Sequence, residues 1–120
     1  MTKGCRPADR GAATAELAVA LPALVLVLAL ALAGLDLGVA QVRCVDAARI
    51  GARLLARGDP PGQALEEVRA AAPRGSRVGV EATRERVTVI VTSPVPALLR
   101  PLGAVPAPRA TAVARLEAPP

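Results

Sequence analysis

The chain has 120 residues, with 15 Lys plus Arg against 10 Asp plus Glu and a formal charge of +5. It contains no Phe, Tyr, Trp or His and only two cysteines, which excludes base stacking, an aromatic belt at a bilayer surface and the usual metal sites. The length allows at most one small domain beside any membrane segment. The arginines are spread along the chain, so they read as a solvated basic surface rather than a nucleic-acid site; an anionic surface, such as lipid headgroups or wall polymer, is the alternative.

The chain opens with a short basic stretch carrying Lys3, Arg6 and Arg10. Residues 17–35, "LAVALPALVLVLALALAGL", then run without a charge between Glu16 and Asp36. As a helix rising 1.5 Å per residue this run covers about 28 Å, close to the hydrocarbon thickness of a bilayer. Leu and Ala dominate it and favour helix. Pro22 comes early in the run, where it removes few intrahelical bonds if the helix starts just upstream. Three basic residues precede the run, and Arg43, Arg49 and Arg53 follow it. The first set sits in a very short segment, where the positive-inside rule acts most directly. The expected topology is therefore N-terminus inside and the bulk of the chain outside.

Cleavage of this segment has two readings. In one it is a secretory signal peptide, with a small-residue site at "ALA" (residues 31–33) and release after Ala33. The other starts from "RGAATAELAVALP", in which Glu16 lies five residues after Gly11. This stretch resembles a prepilin peptidase site, and with "RCVDAARIGARLLARGD" and the "SPVP" segment further on, the chain resembles the TadE-like pseudopilins, or minor pilins, of Tad (Flp) pilus systems. The Arg-, Ala-, Gly- and Pro-rich composition, with Lys3 the only lysine, is in keeping with a bacterial origin.

The resemblance implies a leader of residues 1–11, cleavage between Gly11 and Ala12, and Ala12 as the first mature residue. It implies that Glu16 serves subunit assembly by pairing with a freed N-terminal amine. A carboxylate at the edge of hydrocarbon is costly unless paired. The plainer reading is that Glu16 favours the positive end of the helix dipole, which leaves the spacing from Gly11 unexplained. The implied partners are a prepilin peptidase, other pilin-like subunits, the Tad assembly machinery and membrane lipid. The implied place is the cytoplasmic membrane, single-pass, with the cell surface or pilus after assembly. An uncleaved signal-anchored surface protein is the third reading.

The helix is expected to continue to residue 57, giving a second segment of residues 12–57 and a third of residues 58–120. Arg43, Asp46, Arg49, Arg53 and Arg57 recur at three- and four-residue steps on one side, with i,i+3 pairs worth a few tenths of a kcal/mol. Cys44, Ala48, Ala52 and Leu55 lie on the other. Such small residues permit close approach either of another subunit's helix, with Cys44, Ala48 and Ala52 as the contact, or of the chain's own sheet. Gly58 ends this helix, and Asp59 is expected to cap a second one, with Pro60 in its first turn, that stops by Pro73.

The hydrophobic period then changes to two. "RVGVEAT" puts Val78, Val80 and Ala82 on one face, and "RVTVIVTS" puts Val87, Val89 and Val91 on one face. A two-residue loop, Arg84–Glu85, sets Ala82 opposite Val87 and Val80 opposite Val89, although a loop without Gly or Asn is a poor hairpin turn. A proline-rich connection from Pro94 to Pro108 leads to "RATAVARLE", a candidate third strand with Ala110, Ala112, Ala114 and Leu116 together. The expected fold is α+β: a long N-terminal transmembrane helix, then a small domain with a short helix and a two- to three-stranded antiparallel sheet. So small a domain, with small apolar side chains, needs support from its surroundings.

Cys5 and Cys44 fall on opposite sides of the membrane in this topology and cannot pair. "KGC" is no lipoprotein site, because no apolar stretch precedes Cys5. Cys44 is either a packing residue or a thiol for pairing between subunits. No His is present as a base, no nucleophile has an evident activating partner, and the adjacent Glu66 and Glu67 point to different helix faces. The chain is therefore expected to be structural rather than an enzyme, with no cofactor, metal, nucleic acid or small-molecule substrate.

Overall fold

A computed structural model describes residues 7–117. Cys5, Lys3 and Arg6 lie outside the described residues. The elements are α1 (Pro7–Ala56), α2 (Pro61–Ala71), β1 (Arg77–Ala82), β2 (Arg86–Thr92) and β3 (Arg109–Arg115), with one 3-10 turn at Arg100–Leu102. The fold is α+β. The chain divides into two units, Met1–Leu32 and Ala33–Pro120. The boundary between the two units lies inside α1, and α1 itself ends at Ala56.

In the first unit α1 is a bare helix. It is already helical at Pro7, so Pro22 stands about four turns inside it rather than near its start. There the Pro22 ring lacks the N–H that the Ala18 carbonyl would accept. Every residue from Asp9 to Leu28 is exposed. Ten large apolar side chains between Leu17 and Leu35 are 55–73% exposed. Leu24, Val25, Leu26, Val27 and Leu28 are consecutive members of this set. Successive residues turn about 100° around a helix, so these five encircle it and no face is covered. The helix is long and apolar enough to cross a membrane.

The second unit has a core. Its sheet order is β1-β2-β3, antiparallel throughout. Val80 pairs with Val89 and Ala82 with Val87, the register that the alternation predicts. On the other side Val87, Val89 and Val91 pair with Ala114, Ala112 and Ala110. The Val87, Val89 and Val91 side chains are buried. Val89 and Val91 form one cluster with Cys44, Ala47, Ala48 and Ala52 of α1 and Val68 of α2. Val80 and Ala82 share the inward side by register, yet both are exposed. β1 is an edge strand, and the residues covering the sheet do not extend over its far end.

Local chemistry fixes the connections. Gly58, at φ +86°, closes α1. Its N–H donates to the Leu55 carbonyl and the Asp59 N–H to the Leu54 carbonyl, each at 3.1 Å. This paired closure needs a left-handed residue, which Gly supplies. Asp59 does not cap α2. Pro60 holds the N-cap position without any side-chain cap bond, while Asp59 pairs with Arg57 at 3.6 Å. The hairpin turn uses Thr83 in place of Gly or Asn. The Thr83 N–H donates to the Arg86 carbonyl at 2.8 Å, and the Arg86 N–H donates to the Thr83 hydroxyl oxygen at 3.1 Å. The side-chain oxygen is thus an acceptor within the turn, a local bond that Thr readily makes.

Candidate functional site

Gly11, Ala12 and Glu16 all lie on α1 and are all exposed. The backbone is helical through the Gly11–Ala12 bond. Ala12 and Glu16 are four residues apart, so they sit on one face one turn apart. Opening the chain between Gly11 and Ala12 makes Ala12 the first residue of the helix. Glu16 then lies about one turn from a new amine and from the positive end of the dipole. Among the described residues the Glu16 carboxylate has no ion-pair partner; the single ion pair described joins Arg57 and Asp59. Gly11 has open space where a Cβ would stand, so the fold itself does not require Gly there.

Cys44, Ala48 and Ala52 come together on α1, but in the core of their own unit, where Cys44 and Ala48 are wholly buried. Of the two readings of this small-residue face, the structure shows packing on the chain's own sheet. These three residues are not a surface that another subunit can reach. The Cys44 thiol donates to the Pro108 carbonyl at 3.9 Å. Burial pushes its pKa up, against the smaller pull of the Ser93 backbone hydrogen bond and the Arg43 charge. It is a protonated packing group and not a poised nucleophile. Among the described residues no three His, Cys, Asp or Glu groups gather to hold a metal.

Further features are absent from the sequence-based expectations. At Gly51 a Cβ would stand 2.5 Å from Val68 Cγ2 and 3.3 Å from Val89 Cγ1, so Gly is what lets α1 lie close to β2 and α2. Gln41 locks α1 to the start of β3. Its Nε2 donates to the Arg109 carbonyl at 2.9 Å, and its Oε1 accepts from the Arg109 N–H at 3.0 Å. Arg43 donates to the carbonyls of Ala71 and Ala72 at 3.2 and 3.1 Å, satisfying the end of α2. Finally, Gly34, Leu35, Gly38, Val39, Val42 and Arg43 line an open, almost wholly apolar groove of about 390 Å³. The pair Gly34–Gly38 has the GxxxG spacing that permits close helix approach, and that spacing is the signal by which the groove was findable.

A protein of Mycobacterium tuberculosis (strain ATCC 25618 / H37Rv) named Apoptosis inhibitor Rv3655c is 49% identical to this chain over 78 residues. The match covers 65% of this chain and 62% of that protein, so the chain spans a little under two thirds of the relative's length. No family model matches the chain, and no solved structure matches it.

Proposed function

We propose that the chain is a minor pilin of the TadE-like kind, a structural subunit that assembles or primes a Tad-type pilus or related secretion apparatus. In this reading α1 spans the cytoplasmic membrane through residues 17–35, with the N-terminus in the cytoplasm and the second unit outside. A prepilin peptidase cuts after Gly11, and the apolar helix stays on the protein. The observation that carries the reading is the uncovered circumference of α1 with a lone carboxylate at its entrance, five residues after a glycine that the fold does not need. Leaving each of these ten exposed Leu and Val side chains in water, rather than burying it, costs about 1.5–3 kcal/mol. Lipid, or the helices of neighbouring subunits, removes that cost. The groove at Gly34 and Gly38 offers such a neighbour a place to approach, whereas Cys44, Ala48 and Ala52 do not.

The proposed chemistry is neutralisation of Glu16 by the amine of Ala12 on an adjacent subunit. Glu16→Ala, produced at normal subunit level in cells that assemble the apparatus, is expected to leave the protein in the membrane and out of the assembled fraction. Normal assembly of that variant would defeat the pairing mechanism. Gly11→Ala is expected to accumulate the precursor.

A second reading is favoured by one observation. The compact unit starts at Ala33, so signal-peptidase cleavage after Ala33 would release it nearly whole as a secreted protein. The name of the mycobacterial relative, an apoptosis inhibitor, would suit such a released unit. That reading gives Gly11 and Glu16 no role.

A further inference from the structure

The proline-rich connection between β2 and β3 is a folded knob at one end of the second unit. Its ends are tied by the Ser93 N–H donating to the Pro108 carbonyl at 2.8 Å. Leu99 is buried and anchors it. The N–H groups of Leu99, Leu102 and Gly103 donate to the carbonyls of Pro96, Leu99 and Arg100, so the backbone between them is held. With Leu99 turned in, Leu98 and Leu102 are 45% and 60% exposed. Apolar side chains this exposed, on a tied-down loop, are an unmet hydrophobic surface.

The end of the unit that carries this knob is the end where α1 enters. Gln41 bonds the first residue of β3, and six residues earlier Leu35 ends the uncharged run, about 9 Å along the helix. Ala33, within that run, is already buried and belongs to the second unit. The same end is basic. Arg74, Arg77, Arg100 and Arg109 are exposed there, with Arg43 at the end of α2. Asp36 and Asp46 of α1 are the acids nearby. Asp59, Glu81, Glu85 and Glu117 belong to the opposite end, where Glu117 bonds the last residue of α1 and the hairpin turns; Arg57, Arg84, Arg86 and Arg115 lie there with them, so charges of both signs mix at that end while arginine dominates the knob end.

We infer that this end of the second unit docks on the headgroup layer of the bilayer that α1 crosses, with Leu98 and Leu102 inserted at the acyl boundary and the arginine rim on anionic phospholipid phosphates. The inference rests on the reading of α1 as a membrane span. Apolar side chains entering beside a basic rim is how interfacial segments bind anionic lipid, and each arginine near such a surface contributes about 1 kcal/mol, a factor of about five. Docking would hold the small unit against the membrane before assembly and leave its sheet and hairpin free.

The chain has no tryptophan, so one introduced tryptophan is a clean reporter. The full chain is reconstituted in vesicles of phosphatidylcholine alone or with an equal part of phosphatidylglycerol, carrying a quencher on the upper acyl chain for the knob and strand variants and near the acyl-chain ends for the variant at mid-span. Three variants are compared: Leu102→Trp on the knob, Val113→Trp on the exposed side of β3, and Leu26→Trp in the apolar run. The expected result is quenching and blue-shifted emission for Leu102→Trp on anionic vesicles, weakened by salt, with Val113→Trp unquenched. Adding Arg100→Gln is expected to weaken the docking equilibrium about fivefold. If Leu26→Trp is quenched and Leu102→Trp is not, the docking is overturned and the membrane span stands. Should Leu26→Trp itself escape the lipid quencher, the span reading fails and the docking with it. Quenching of Leu102→Trp that ignores lipid charge, salt and Arg100→Gln would overturn the anionic headgroup as the partner.

Discussion

Residues 9–32 and residues 33–56 belong to one unbroken helix, yet their apolar side chains obey opposite size rules. In the first stretch large Leu and Val side chains are exposed on every side, with exposed alanines between them. In the second the buried ones are Ala33, Cys44, Ala47, Ala48, Gly51, Ala52 and Ala56. Size therefore reports the environment. A helix that crosses fluid lipid, as proposed for the first stretch, gains from large apolar area in all directions. A helix that meets its own sheet at close range needs small residues, because the valines of β2 already fill the space between. The absence of aromatic residues in this chain makes the second rule strict. A core of valines against alanines has no thickness to spare.

The largest test of this difference uses two glycines of the same helix. Gly51→Leu drives a side chain into space where a Cβ alone would already be 2.5 Å from Val68. Overpacking costs about 1–3 kcal/mol and sometimes more, which in a domain this small removes most of the stability. Gly34→Leu meets nothing within 4 Å and gains about 1 kcal/mol of helix propensity. Hydrogen exchange of the β2 amides, measured on the full chain in detergent, is expected to lose protection in Gly51→Leu and keep it in Gly34→Leu. Equal protection in both would mean that close packing at Gly51 does not hold the unit together.

A smaller contrast comes from deleting two methyl groups from a valine in each region. Val89→Ala in the core is expected to lower the stability of the second unit by about 2 kcal/mol through lost burial and a residual cavity. Val25→Ala, on the encircling apolar surface, is expected to leave it unchanged in the same exchange measurement.

The smallest effect is a pH dependence at Cys44. Burial raises the thiol's pKa in the folded state, so the folded state keeps the proton to higher pH than the unfolded one. The sign follows: the contribution is fully present below the unfolded value of about 8.5 and is lost as pH rises from there toward the folded value. Wild-type stability is expected to decline over that range by more than that of Cys44→Ala. Alkylation of Cys44 at neutral pH is expected to be slow until the unit unfolds.

The regular parts of the fold are legible in the sequence because period two fixes a register. Alternating valines set Val80 against Val89 and Ala82 against Val87, and the same alternation in "RATAVAR" marks the third strand. Where sequence and structure part, a competing bond decides the outcome. Asp59 has the chemistry of a helix cap, but its N–H closes α1 onto Leu54 and its carboxylate turns to Arg57, leaving Pro60 at the start of α2. The turn at Arg84–Glu85 lacks Gly and Asn, and an oxygen from Thr83 stands in for a backbone acceptor there. Val80 and Ala82 have the pattern of a covered face but lie on an edge strand that α1 does not cover to its end. Gly51 carries no local signal, since its need for a missing Cβ comes from Val68 and Val89, far along the chain. At the candidate site the spacing of Gly11 and Glu16 is fully legible, and the structure adds that Ala12 and Glu16 share a helix face. The proposed partner of Glu16 is a second subunit, which one chain does not contain.

In the proposed function the apolar helix stays on the mature protein, its N-terminal end freed by a cut after Gly11. The mature N-terminus, read by mass spectrometry on protein from the producing cell, tests it most directly. Ala12 is expected as the first residue; Gly34 would show a released, secreted unit, and Met1 or Thr2 an uncut anchor, and either would contradict cleavage after Gly11.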